Sequence, residues 1–181
     1  MNIDTLIDAV IARAGDYAHH PADRGGVTRW GVTEAVARAH GFHGDMRSFP
    51  RDQAVAIYRR LYWKRPGFAR VAEQGGRIAA ALFDTGINMG PATAIGFLKR
   101  ALNALNRGGA DYDDVDPAPL IDAATIAALA AFITKRGQGG EAVLIKAVEA
   151  LRGERYVRLA ETQPASETFL YGWLSQRISC P

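Results

Sequence analysis

One cysteine among 181 residues, Cys180 beside the final proline, rules out an internal disulfide framework and fits synthesis in a reducing compartment. No run of about 18 apolar residues occurs, so no membrane span and no stable membrane insertion are expected. The N-terminus lacks a basic leader region, and Asp4 and Asp8 interrupt its apolar residues, so no standard signal peptide is expected and release would need another route. His19, His20, His40 and His43 have no cysteine or acidic partner at zinc-ligand spacing, and neither a metal nor a cofactor is expected. Arg59, Arg60, Lys64 and Arg65 are basic neighbours, but no recognition helix or aromatic-basic sheet motif accompanies them, so nucleic acid is not an expected partner. No fixed-period repeat is present.

What remains is an ordinary globular composition, 48% hydrophobic and 23% charged, on a chain long enough for one core or two small subdomains. The net charge of +3 would favour an anionic partner such as a bacterial envelope, and equally describes a solvated arginine-rich surface. The pattern is almost wholly helical. Ile3, Leu6, Ile7, Val10, Ile11 and Ala14 form a helical stripe that Gly15 stops, which places position 14 on the buried face in the last turn. A glycine-rich loop or short hairpin follows to Thr33, the predicted N-cap of a helix through His40. Pro50 is predicted in the first turn of a helix carrying Ala54, Val55, Ile57, Tyr58, Leu61 and Tyr62. A strongly apolar segment over 71–88 reads as central, Pro91 opens a further helix, and helices follow at about 122–136, 140–161 and 166–178. The acidic loop from Gly108 to Pro119 is the best composition-based boundary. Its aspartates lack the glycine and closing glutamate of a calcium loop.

The stretch from position 14 to Thr33 holds the candidate chemistry. Cleaving a glycosidic bond requires a carboxylic acid kept protonated near neutral pH, and usually a second carboxylate that activates water or stabilises an oxocarbenium-like state. The end of an apolar helix suits the first group, because partial burial and the helix dipole both disfavour its charge. Asp23, in a loop shaped by Gly25 and Gly26, suits the second, and Thr28 is placed to position water or that carboxylate. Tyr17 and Trp30 in the polar loop are candidate sugar platforms, as are Trp63, Tyr58 and Tyr62, with core packing the competing reading for Tyr58 and Tyr62, which sit at i and i+4 among apolar neighbours. Arg24 and Arg29 could meet carboxylates of the substrate or merely solvate the surface. Asp84 and Asn88 share one helix face, and Asn88 serves either as a cleft residue or as a helix cap.

With Gly15, Tyr17, Pro21, Asp23, Gly25, Gly26, Thr28, Gly31, Val32 and Thr33 in register, the stretch resembles glycoside hydrolase family 108, whose segment reads approximately E-G-G-Y-x-x-x-P-x-D-x-G-G-x-T-x-x-G-I-T. Ile57-Tyr58, Tyr62-Trp63, Phe83-Asp84 and Asn88-Met89-Gly90 are similar to its downstream segments. The chain beyond about 91, with Arg155-Tyr156 and Phe169 to Leu174, resembles the helical peptidoglycan-binding region that usually follows. The resemblance implies a mainly α, lysozyme-like fold with a small β-hairpin near the active-site cleft, a muramidase region over 1–90 and a peptidoglycan-binding region over 91–181. It implies a monomeric, endolysin-type N-acetylmuramidase that cuts the MurNAc-GlcNAc β-1,4 bond of bacterial peptidoglycan, made in a bacterial cytoplasm and acting on the cell wall after holin-type or other release.

Ala14 departs from that pattern, standing where the resemblance places the catalytic glutamate, and Asp16 replaces the second glycine. A methyl group donates no proton. A deliberate glutamate-to-alanine change, a natural pseudoenzyme, or recruitment of Asp16 as the acid would each account for it. The catalytic set is thus position 14, Asp23 and Thr28; the substrate-binding set is Tyr17, Arg24, Trp30, Tyr62 and Asn88. A non-catalytic peptidoglycan-binding protein is the alternative reading.

Overall fold

A computed structural model describes residues 2–18 and 26–178. The chain divides into two compact units, residues 1–65 and 66–181.

In the first unit, Asn2 caps α1 (Ile3–Ala14) by accepting a hydrogen bond from the Asp4 N–H at 2.9 Å. The predicted stripe buries Ile7, Val10 and Ile11. The expected burial of position 14 is not met: Ala14 is exposed, because the helix runs past the apolar layer before Gly15, at φ 77°, ends it. Three two-residue strands follow, β1 (Tyr17–Ala18), β2 (Thr28–Arg29) and β3 (Val32–Thr33), in one antiparallel sheet of order β1-β2-β3. Tyr17 pairs with Arg29 and Ala18 with Thr28; on the other side, Thr28 pairs with Thr33 and Arg29 with Val32. Thr33 caps α2 (Glu34–Ala39) as predicted, accepting from the Val36 N–H.

A one-turn 3-10 helix (Met46–Ser48) leads into α3 (Arg51–Tyr58), for which Pro50 is the N-cap rather than a first-turn residue. Instead of continuing as α-helix through Tyr62, the chain winds as a π-helix over Arg59–Lys64, with the Arg65 N–H donating to the Arg60 carbonyl. The wider turn puts Trp63, five residues after Tyr58, onto the buried side, and leaves Tyr62 half-buried. Tyr58 and Trp63 are therefore core residues and not sugar platforms.

The second unit splits the predicted apolar segment in two. Gly67, at φ 86°, opens α4 (Phe68–Ala72), and a break at Glu73–Gly75 precedes α5 (Gly76–Met89). Gly75 has no side chain with which to cap α5. Glu141 does it from a distance, its Oε1 accepting from the Arg77 and Ile78 N–H groups at 2.9 and 3.0 Å. Pro91 opens α6 (Pro91–Leu105), as predicted. α7 (Ala123–Thr162) is capped by Asp122 and kinks at Gly137, whose φ of 62° and ψ of −160° break the two predicted helices apart. A 3-10 turn at Pro164–Ser166 leads to α8 (Glu167–Arg177). Ile78, Leu82, Phe83, Leu98, Leu102, Leu129 and Phe132 are buried from α5, α6 and α7, each contributing about 1.5–3 kcal/mol through burial.

The acidic loop is no boundary. Asn103 exchanges hydrogen bonds with the Val115 backbone in both directions, Tyr112 donates to the Leu102 carbonyl, and Asn106 donates to Asp114. Arg107 holds the Asp111 carboxyl below its usual range. Side-chain amides at the end of α6 thus replace the missing secondary-structure bonds of the loop and bind it to the second unit.

Candidate functional site

The site is built around the turn between β2 and β3. Trp30 and Gly31, the two central residues, have φ of 53° and 75°, the left-handed pair that joins short antiparallel strands without splaying them. Glycine adopts this at little strain. Tryptophan does not, and about 1 kcal/mol of backbone strain is held at Trp30. Three contacts hold it there: its N–H donates to the Asp16 carbonyl at 2.8 Å, its indole Nε1 donates to the Phe49 carbonyl at 3.1 Å, and Tyr58 donates from its hydroxyl to the Trp30 carbonyl at 3.1 Å.

Gly31 is required for a second reason. A Cβ there would lie 2.4 Å from the Tyr58 hydroxyl oxygen and 2.8 Å from the Ala14 Cβ, so both border the space over Gly31. Tyr58 is 4% exposed, and burial followed by the neighbouring Tyr62 pushes its pKa up to about 12, keeping it a neutral hydroxyl across the physiological range. With its proton on the Trp30 carbonyl, the Tyr58 oxygen has lone pairs to accept a further hydrogen bond. Position 14 thus lies at the C-terminal end of a helix dipole and next to a neutral acceptor, two features that favour a protonated acid.

Around this centre, Arg29 donates from Nε to Asp16 at 2.8 Å, and its guanidinium lies 5.1 Å from the Trp30 ring centroid. Asp16 is consequently committed to the hairpin. Tyr17, 39% exposed, has the Arg47 guanidinium 5.7 Å from its ring centroid. Thr28 is half-buried between Ala18 and Thr33 in the sheet. Tyr62 lies 5.8 Å from Tyr58. The structure therefore gathers position 14, Tyr17, Thr28, Trp30 and Tyr62 in one unit. Asp23 and Arg24, in the connection from β1 to β2, lie outside the described residues. Asn88 belongs to the second unit, where its amide donates to the Asp84 carbonyl at 2.7 Å; the helix cap is Gly90. Sequence reasoning missed the roles of Tyr58 and Gly31. The Trp-Gly dipeptide between short polar strands was a legible turn signal. The Tyr58 hydroxyl was not, because its acceptor is 28 residues away.

Residues 7–90 match the family model described as Glycosyl hydrolase 108, and residues 93–178 match the one described as Predicted Peptidoglycan domain. Over residues 7–90 the chain thus matches the glycosyl hydrolase 108 family. Its fold is shared with the "Structure of Brucella abortus SagA", at a TM-score of 0.71 and 24% identity over 97% of this chain and 91% of that one. No curated protein matches the chain. The chain has the mainly α, lysozyme-like fold with a small sheet, and its two family matches support a peptidoglycan-acting protein. Among the described residues, no group of three or more metal-binding side chains occurs, and no helix is long and apolar enough to cross a membrane.

Proposed function

We propose that the chain is an endolysin-type N-acetylmuramidase scaffold that binds the MurNAc-GlcNAc strand, silenced as a hydrolase by alanine at position 14. The observation that carries this reading is the seat formed by Gly31 and the Tyr58 hydroxyl against the Ala14 Cβ. A glutamate at that position would reach the Tyr58 oxygen, which accepts from the protonated carboxyl and so raises its pKa. That acid gives its proton to the glycosidic oxygen as the bond to the MurNAc anomeric carbon breaks. Water then takes the anomeric carbon, assisted by the Asp23 carboxylate and by Thr28, leaving a reducing MurNAc end and a free GlcNAc hydroxyl. Tyr17, Trp30 and Tyr62 supply sugar contacts, with Arg24 as a polar partner. Residues 1–90 form the catalytic region and 91–181 the peptidoglycan-binding region of a monomer that acts on the cell wall after release from the bacterium that makes it.

The test is Ala14→Glu. Purified sacculi digested with the chain as it stands should release no more soluble product than buffer. The glutamate form should raise the rate by about two to four orders of magnitude, with reducing MurNAc ends found by borohydride reduction and mass spectrometry. A folded, sacculus-binding Ala14→Glu protein that releases nothing would overturn the muramidase reading. It would leave the alternative, a non-catalytic peptidoglycan-binding protein, which the alanine at position 14 itself favours.

A further inference from the structure

Within the second unit, a column of planar groups runs from the interior to the surface. At its base Arg152, 2% exposed, donates to Asp84 at 2.6 Å and to Glu149 at 3.3 Å. Burial opposes its charge, but Asp84 and then Tyr156 outweigh that, and its pKa is held above its ordinary value. The guanidinium lies 5.9 Å from the ring centroid of buried Tyr156. Trp173, from α8, stacks on Tyr156 at 5.1 Å and 28°, and Phe169, one turn earlier, stacks near Trp173 at 6.0 Å and 23°. Phe169 is 58% exposed and ends the column in solvent, with Tyr171, 85% exposed, on the same short helix. No residue of α8 is buried.

We infer that the Phe169 end of this column is a stacking platform for the glycan strand of peptidoglycan. The inference rests on the peptidoglycan reading above and assigns it a place in the second unit. Sugar rings present flat C–H faces, which pack on aromatic faces rather than edges, and near-parallel rings anchored on a buried ion pair offer such a face at little entropic cost. The apolar run Phe169–Leu174 is flanked by exposed Glu167 and Thr168 on one side and Ser175, Gln176 and Arg177 on the other, which suit sugar hydroxyls. A second copy of the chain fits poorly. Phe169, Tyr171 and Leu174 together expose on the order of 350 Å² of side chain, against about 800 Å² per partner in a stable interface. The column lies wholly within the 93–178 match to the peptidoglycan domain, apart from Asp84 at its base.

The experiment measures binding of the full chain to intact sacculi and to peptide-free glycan strands prepared from them with an amidase, for the parent chain and for Phe169→Ala/Tyr171→Ala. The double variant should keep the parental circular dichroism and bind glycan strands about 10- to 100-fold more weakly. If the folded variant binds glycan strands like the parent, the platform is wrong and the peptidoglycan reading stands. If the parent binds sacculi but not peptide-free strands, the occupant is the stem peptide and the inference fails. Loss of binding to both by the parent overturns the peptidoglycan reading together with the platform. A parental dimer that the double variant dissolves, seen by sedimentation, identifies a second copy as the occupant and overturns it also. Should the double variant misfold, Phe169→Leu, which keeps the apolar bulk but not the flat face, must still weaken glycan binding measurably.

Discussion

Two arginine–aspartate pairs, one in each unit, show how the same chemistry serves different ends. Arg29 and Asp16 meet at 2.8 Å on the hairpin, with side chains 19% and 62% exposed; Arg152 and Asp84 meet at 2.6 Å, with side chains 2% and 25% exposed. The first pair opens to water on its Asp16 side, where its attraction is screened, and it ties Arg29 to the strained turn carrying Trp30 and Gly31. The second has given up solvent on the guanidinium side and survives only because Asp84 and Glu149 both accept from it. The first unit keeps its carboxylate at the surface of a hairpin, and the second uses its ion pair inside, at the base of an aromatic column.

The comparison breaks most visibly at Arg152. Arg152→Met should cost about 3–5 kcal/mol, because it strands two carboxylates, lowering the melting temperature by roughly 6–20 °C, whereas Arg29→Met should cost at most about 1 kcal/mol. Equal losses in calorimetry would erase the distinction. Gly31→Ala comes next: the left-handed backbone and the closeness of Tyr58 and Ala14 together should destabilise by about 2–3 kcal/mol, measured by urea denaturation, even though Gly31 itself is exposed. The smallest effect sharpens the picture of Tyr58. Its folded pKa of about 12 lies above the ordinary 10, so the stability it contributes is complete below pH 10 and falls as pH rises toward 12, where the unfolded chain loses the proton first. Tyr112, raised likewise to about 12, adds to the same limb. Tyr58→Phe should therefore flatten the loss of stability between pH 10 and 12 by up to about one proton's slope without abolishing it.

Much of this was legible in the residues. Ile7, Val10 and Ile11 declared the first helix by their spacing, Gly15 its end, Thr33 and Pro91 the starts of two more, and the glycine-rich motif the family. Local preferences suffice where a helix needs only an apolar face and a cap. The misreadings have one cause. Position 14 carried the periodicity of a buried residue, yet the apolar layer stops before it. Trp63 looked like a surface aromatic until the π-turn carried it inward. The acidic loop read as a linker because its partners, Asn103 and Asn106, lie on the preceding helix. In each case the deciding contact is made across space.

The amino-acid sequence by itself determined the helical order, the family resemblance and the alanine at position 14, because these depend on residue type and near-neighbour spacing. Only the tertiary structure decided that Glu141 caps a helix more than sixty residues earlier, that Arg152 anchors Tyr156 and Trp173, and that Gly31 brings position 14 and the Tyr58 hydroxyl to one turn. Those depend on which distant groups folding brings within hydrogen-bonding or stacking distance, and no local pattern encodes that.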